Sequence, residues 1–180
     1  MSEQKPIKIL FISAQPKDQL RLQVEFDNIR NKIKDSLDKK ELELLNPSFD
    51  TDFEKLHKRL KDERPKVLHF SCHSTPEGIC LINNRNRNTQ MIENEELFDI
   101  FEDKISFLSL IFLNSCFSSF QAETISKAGL FVLGLKEEID NVLAKDLAEC
   151  FYFGFDMYNK SNELDKAIRT GCTNFVKTFP

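Results

Sequence analysis

Val67-Leu68-His69-Phe70-Ser71-Cys72-His73-Ser74 is the stretch that decides how this chain is read. It is short, apolar over most of its length, and runs into a histidine just before its last residue. A second run, Leu108-Ser109-Leu110-Ile111-Phe112-Leu113-Asn114-Ser115-Cys116, ends on a cysteine. Brief apolar runs rich in β-branched and aromatic residues, bounded by polar turns, read as fully buried strands of a parallel sheet. In an open α/β sheet, sites form at the carboxyl ends of strands. If these two strands are neighbours, His73 and Cys116 stand side by side on that edge. A base beside a thiol is the minimum machinery of a cysteine nucleophile.

Outward from these runs the pattern is β then α, repeated. Lys8 to Ala14 is a buried strand, and Gln15-Pro16-Lys17-Asp18 breaks it. Leu20, Leu22, Phe26, Ile29 and Ile33 recur at helical spacing, which predicts an amphipathic helix over about 19–37. Glu41 to Leu45 reads as a short strand, and Thr51 or Asp52 caps a helix running to about Lys61. Gly78 to Ile82 reads as one half of a small hairpin inserted between the two key strands, with Asn83–Asn88 as its turn and exit. Helices over about 93–102, 120–128, 141–158 and 164–176 and a strand over 130–134 complete the chain. This alternation predicts an α/β fold of three layers, αβα, with a mostly parallel central sheet and helices on both faces. No linker, repeat or low-complexity segment divides residues 1–180, so one domain is expected.

Composition narrows the function classes. Hydrophobic residues make up 41% and charged residues 30% of the 180, which is globular and long enough for a sizeable core. The net charge is −4 and no basic stripe stands out, against a direct nucleic-acid surface. No apolar run approaches the roughly 20 residues of a membrane span, and the polar start, Met1 to Lys8, lacks a signal-peptide core. Cys72, Cys80, Cys116, Cys150 and Cys172 are an odd set without metal-site spacing, as expected for reduced thiols in a cytoplasmic protein. No cofactor is expected. Ser13-Ala14-Gln15-Pro16 stands where a dinucleotide-binding glycine loop would follow the first strand. No element carries two histidines and a carboxylate in metal-ligating spacing.

The local sequence favours chemistry at Cys116. After it come Phe117-Ser118-Ser119 and then a helix, so the thiol sits at a strand-to-helix turn facing the positive end of a helix dipole. Backbone N–H groups at such a turn can stabilise an oxyanion. The other candidates have plainer readings. His69, four residues before His73, shares its face but lies inside the strand and reads as a buried structural histidine; His57 sits in a charged helix. Cys80, Cys150 and Cys172 read as packing thiols.

Four segments resemble the CHAT domains, the caspase- and separase-related cysteine peptidases. They are Lys8 to Pro16 with Leu20-Arg21-Leu22 and Glu25; Val67 to Ser74; Phe112-Leu113-Asn114-Ser115-Cys116-Phe117-Ser118; and Gln121-Ala122-Glu123 with Phe131 to Leu135. The likeness spans about 7–171. It implies a caspase-like fold, a protein substrate, and a dyad in which Cys116 attacks the scissile carbonyl and His73 moves the proton. It implies an oxyanion hole near Ser74 and Cys116, beside Ser115, and a specificity pocket for which Lys136, Glu137, Glu138 and Arg21 are the charged candidates. An acid in that pocket would favour a basic substrate residue, and a base an acidic one. It also implies a regulatory or activating partner protein and a prokaryotic signalling or antiviral defence role. The chain departs from the family in having Cys72 and Ser74 beside the histidine, where glycines are usual. That departure motivates the rival reading, a catalytically inactive adaptor. A flavodoxin-like regulatory domain is a third reading, and it lacks strand-end acids after Ser13-Ala14-Gln15.

Overall fold

The computed structural model describes residues 5–14, 19–83, 86, 88–157 and 164–178. A five-stranded parallel sheet forms the centre. Its strands are β1 (Ile7–Ser13), β2 (Leu42–Leu44), β3 (Val67–Ser71), β7 (Leu110–Asn114) and β8 (Phe131–Leu133), in the order β2-β1-β3-β7-β8. Three further strands form a small antiparallel sheet: β4 (Ser74–Thr75), β5 (Gly78–Ile82) and β6 (Thr89–Glu93). The helices are α1 (Gln19–Lys32), α2 (Lys34–Asp38), α3 (Phe53–Glu63), α4 (Asn94–Glu102), α5 (Ser119–Ser126), α6 (Asn141–Asp156) and α7 (Leu164–Thr178).

Side chains alternate across the sheet with period 2 and feed two cores. Leu68, Phe70, Ile111 and Leu113 point to one face, where they meet Leu56 and Leu60 of α3, Leu97 and Phe101 of α4 and Ile125 of α5. Val67, Leu110 and Phe112 point to the other, against Phe26 and Ile29 of α1, Phe151 and Phe155 of α6 and Ile168 of α7. Burial on both faces is why these strands read as continuous apolar runs rather than as alternating ones. The result is the αβα sandwich expected from the sequence, with strand order reversing between β1 and β3, where such sheets open a crevice.

Local chemistry sets the element boundaries. Asp52 caps α3, its carboxylate accepting from the Lys55 N–H at 2.7 Å. Asp140 caps α6 by accepting from the N–H groups of Val142 and Leu143, both at 2.8 Å. Two expectations shift. The first helix is interrupted at Ile33 and resumes as α2. The insertion has three strands rather than a two-stranded hairpin: in β6 only Ile92 is buried, so the strand carries no alternation to read. Its partner β5 sends Ile79 and Leu81 into the core on the α3–α5 face. The break at Gln15 to Asp18 lies outside the described residues, as do Asn84, Arg85 and Arg87 of the expected turn.

Candidate active site

Strand register fixes the site. β3 and β7 are hydrogen-bonded neighbours, and their last paired residues are Ser71 and Asn114. His73 and Cys116 each lie two residues past that pair, so both side chains emerge from the carboxyl edge at the same level. His73 is exposed and Cys116 partly buried. Both line a cleft of about 570 Å³ walled by Arg21 and Val24 of α1 and by the segment Glu138-Ile139-Asp140 leading into α6.

The Cys116 turn is tightly built. Phe117 adopts φ 53°, the left-handed region, where a bulky side chain is strained. The wholly buried Ser118 shares its hydroxyl proton between the carbonyls of Leu113 (3.2 Å) and Ser115 (2.7 Å) and accepts from the Leu135 N–H at 2.9 Å. The Ser119 N–H donates to Leu135 O at 2.9 Å and the Phe117 N–H to Glu137 O at 3.3 Å. The chain leaving β8 thus runs along the turn and braces the strain. Gly134 permits that approach: a Cβ there would sit 2.4 Å from the Ser118 carbonyl oxygen. α5 begins three residues after Cys116, so its positive end lies behind the thiol.

The histidine turn is anchored on both sides of His73. Cys72 is 2% exposed and joins the core beneath; burial pushes its thiol up to about 12, only partly offset by the Ser115 hydroxyl beside it. The His73 carbonyl accepts from the Cys80 N–H at 2.8 Å. The Ser74 hydroxyl donates to the backbone carbonyl of Cys116. It is therefore turned from the cleft, whose lining includes Ser115 but not Ser74.

Under the site lies a buried polar cluster that sequence reading left out. Glu25 of α1 accepts from Asn114 Nδ2 at 2.7 Å and pairs with His69 Nε2 at 3.0 Å; its second oxygen accepts from the Ser71 hydroxyl at 3.3 Å. His69 is fully buried, stacked on Phe11 and Tyr152, as a structural histidine should be. Burial, reinforced by the Glu25 carboxylate, pushes the Tyr152 phenol up. The cluster bolts α1 to the ends of β3 and β7. The only sequence clue was that Glu25, His69 and Asn114 all sit inside the segments quoted above.

Of the residues expected at the site, His73, Cys116 and Ser115 come together in the cleft. Lys136 and Glu137 are exposed and do not line it; the backbone of Glu137 braces the turn instead. Their neighbour Glu138 lines it, as does Arg21. The Cys116 thiol lies 3.7 Å from the Ile139 carbonyl, toward which it donates, and no hydrogen bond joins it to His73 among the described residues. Also among the described residues, no group of three or more His, Cys, Asp or Glu is placed to hold a metal ion, and no helix is long and apolar enough to cross a membrane.

Comparison with known proteins places the chain in a family. The family model for the CHAT domain matches residues 2–155, and the chain belongs to that family. No curated protein matches it. Among solved structures, the RcsB response regulator of Salmonella typhimurium, described for its conformational dynamism for DNA interaction, is similar at 9% identity and a TM-score of 0.47, over 92% of this chain and 68% of that one.

Proposed function

We propose that this CHAT-domain protein is a cysteine endopeptidase that cleaves a partner protein with a Cys116/His73 dyad. One observation carries the reading: β3 and β7 pair in register, so the two residues leave the sheet at the same offset into one cleft. Cys116 attacks the scissile carbonyl as a thiolate, supported by the α5 dipole. His73 takes the thiol proton and returns it to the leaving amine. Backbone N–H groups of the two turns, at Ser74 and Cys116, receive the oxyanion. The thiol's contact with Ile139 rather than His73 fits a substrate-free site, since catalytic hydrogen bonds are often loose until substrate binds. Family membership supports a regulated role inside a prokaryotic defence or signalling system, in the cytoplasm, with a partner protein that activates cleavage. Substrate capture with the Cys116→Ala protein, then cleavage of the captured protein by wild type but not by Cys116→Ala or His73→Ala, tests the reading. Cleavage retained in either variant overturns the dyad.

The same thiol contact also favours a second reading, an adaptor with the peptidase fold and no catalysis. Capture without cleavage, together with a Cys116 thiol no more reactive than Cys80, Cys150 or Cys172, would select it.

A further inference from the structure

His73 is exposed on a turn outside the main sheet, and it acts on Cys116 only if that turn is held at a fixed offset from the nucleophile. Two side chains that do not line the cleft do the holding. Ser74, the next residue, donates its hydroxyl to the backbone carbonyl of Cys116 itself. From the other direction comes Gln121 of α5, wholly buried and five residues after the nucleophile. Its Nε2 donates to Thr75 O at 3.0 Å and to Asn94 Oδ1 at 2.8 Å, with a longer contact to Pro76 O at 3.4 Å. Asn94 in turn donates to Pro76 O at 2.9 Å. An amide has two N–H hydrogens, so the two short bonds use both and fix the ring of partners in one geometry.

We infer that Ser74 and Gln121 are positioning residues: a two-point latch that ties the His73 turn to the Cys116 turn and sets the distance between base and thiol. Ser74 reaches from the histidine turn to the nucleophile. Gln121 reaches from the helix behind the nucleophile to the bend between β4 and β5. Ser74 therefore contributes its backbone to the cleft edge while its side chain works behind it. The inference rests on the dyad reading above.

The test compares Ser74→Ala, Ser74→Thr and Gln121→Leu with wild type by two measurements, with His73→Ala as the reference for dependence on the base. One is amide hydrogen exchange over residues 73–80. The other is the rate of Cys116 alkylation by iodoacetamide against pH, resolved by mass spectrometry. Loss of one buried hydrogen bond corresponds to roughly a fivefold change in a local equilibrium. Ser74→Ala and Gln121→Leu should each speed exchange of the turn by about that factor, slow Cys116 alkylation near neutral pH and move its inflection upward. Ser74→Thr keeps the hydroxyl and should restore both. Unchanged exchange in Ser74→Ala and Gln121→Leu overturns the latch. So does faster exchange with an unaltered pH profile, which marks a structural role only. If wild-type Cys116 shows no dependence on His73, the dyad reading fails and takes the positioning role with it. If that dependence holds while the two variants behave as wild type, the latch alone fails. Should Gln121→Leu not fold, Asn94→Ala at the half-buried end of the chain of bonds gives the same exchange readout.

Discussion

β3 and its exit carry two histidines four residues apart, and their environments are opposite. His69 is sealed between Phe11 and Tyr152 and paired with Glu25. His73 stands in the open at the lip of the cleft. The two nearby thiols divide the same way: Cys72 is packed in the core and held protonated, whereas Cys116 faces the cleft at a helix start. Residue type is identical within each pair. The buried members lie inside β3 (His69) or one residue past its end (Cys72), while His73 and Cys116, which line the cleft, each lie two residues past the end of a strand.

The largest effects should follow the outer pair. Cys116→Ala should reduce cleavage to background, and His73→Ala should lower kcat/KM by about 10²–10⁴-fold, with thermal unfolding unchanged in both. Unfolding of either variant would move the outer pair into the framework class. The inner pair should do the reverse. Glu25→Ala removes the buried acceptor of His69 Nε2 and the Ser71 hydroxyl and leaves the Asn114 amide only its longer bond to the Ala144 carbonyl, and should destabilise the protein by about 3 kcal/mol in urea unfolding. A stable Glu25→Ala protein would break the comparison.

Between the two classes lies Gly134. Its replacement by Ala puts a methyl against the Ser118 carbonyl, and the cost should be about 1–3 kcal/mol together with slower Cys116 alkylation. The last effect is nil at neutral pH and appears only in alkali. The Cys72 pKa rises from 9.0 unfolded to about 12 folded, so its neutral form is favoured by the fold. Its contribution is complete below pH 9 and fades as pH rises toward 12. The fall in Tm over that window should be shallower in Cys72→Ala than in wild type.

Much of this was legible in the sequence, for physical reasons. A strand buried on both faces leaves an apolar run, so β1, β3, β7 and the alternation with helices could be read directly. The pairing of Ser71 with Asn114 is not legible there, because period and composition do not fix which strands are neighbours. β6 escaped because four of its five residues are exposed. The cleft walls were read less well. Lys136 and Glu137 are charged and follow the strand at which the resemblance implies a pocket wall, but what braces the Cys116 turn there is backbone, which no side-chain pattern announces. Ser74 presented the same difficulty in reverse. Where the family usually has glycine it adds a side chain, and the structure turns that hydroxyl onto the Cys116 carbonyl. Gln121 stood in a quoted segment without a role, since its partners Thr75, Pro76 and Asn94 are distant in sequence.

The central claim is that the two strand ends make one reactive pair. The most direct measurement is site-resolved alkylation of all five cysteines at pH 7, in wild type and His73→Ala. Cys116 should react fastest, Cys72 should stay unlabelled, and the Cys116 rate should fall at least about tenfold when His73 is removed. A Cys116 rate equal to that of the remaining thiols and indifferent to His73 would contradict it.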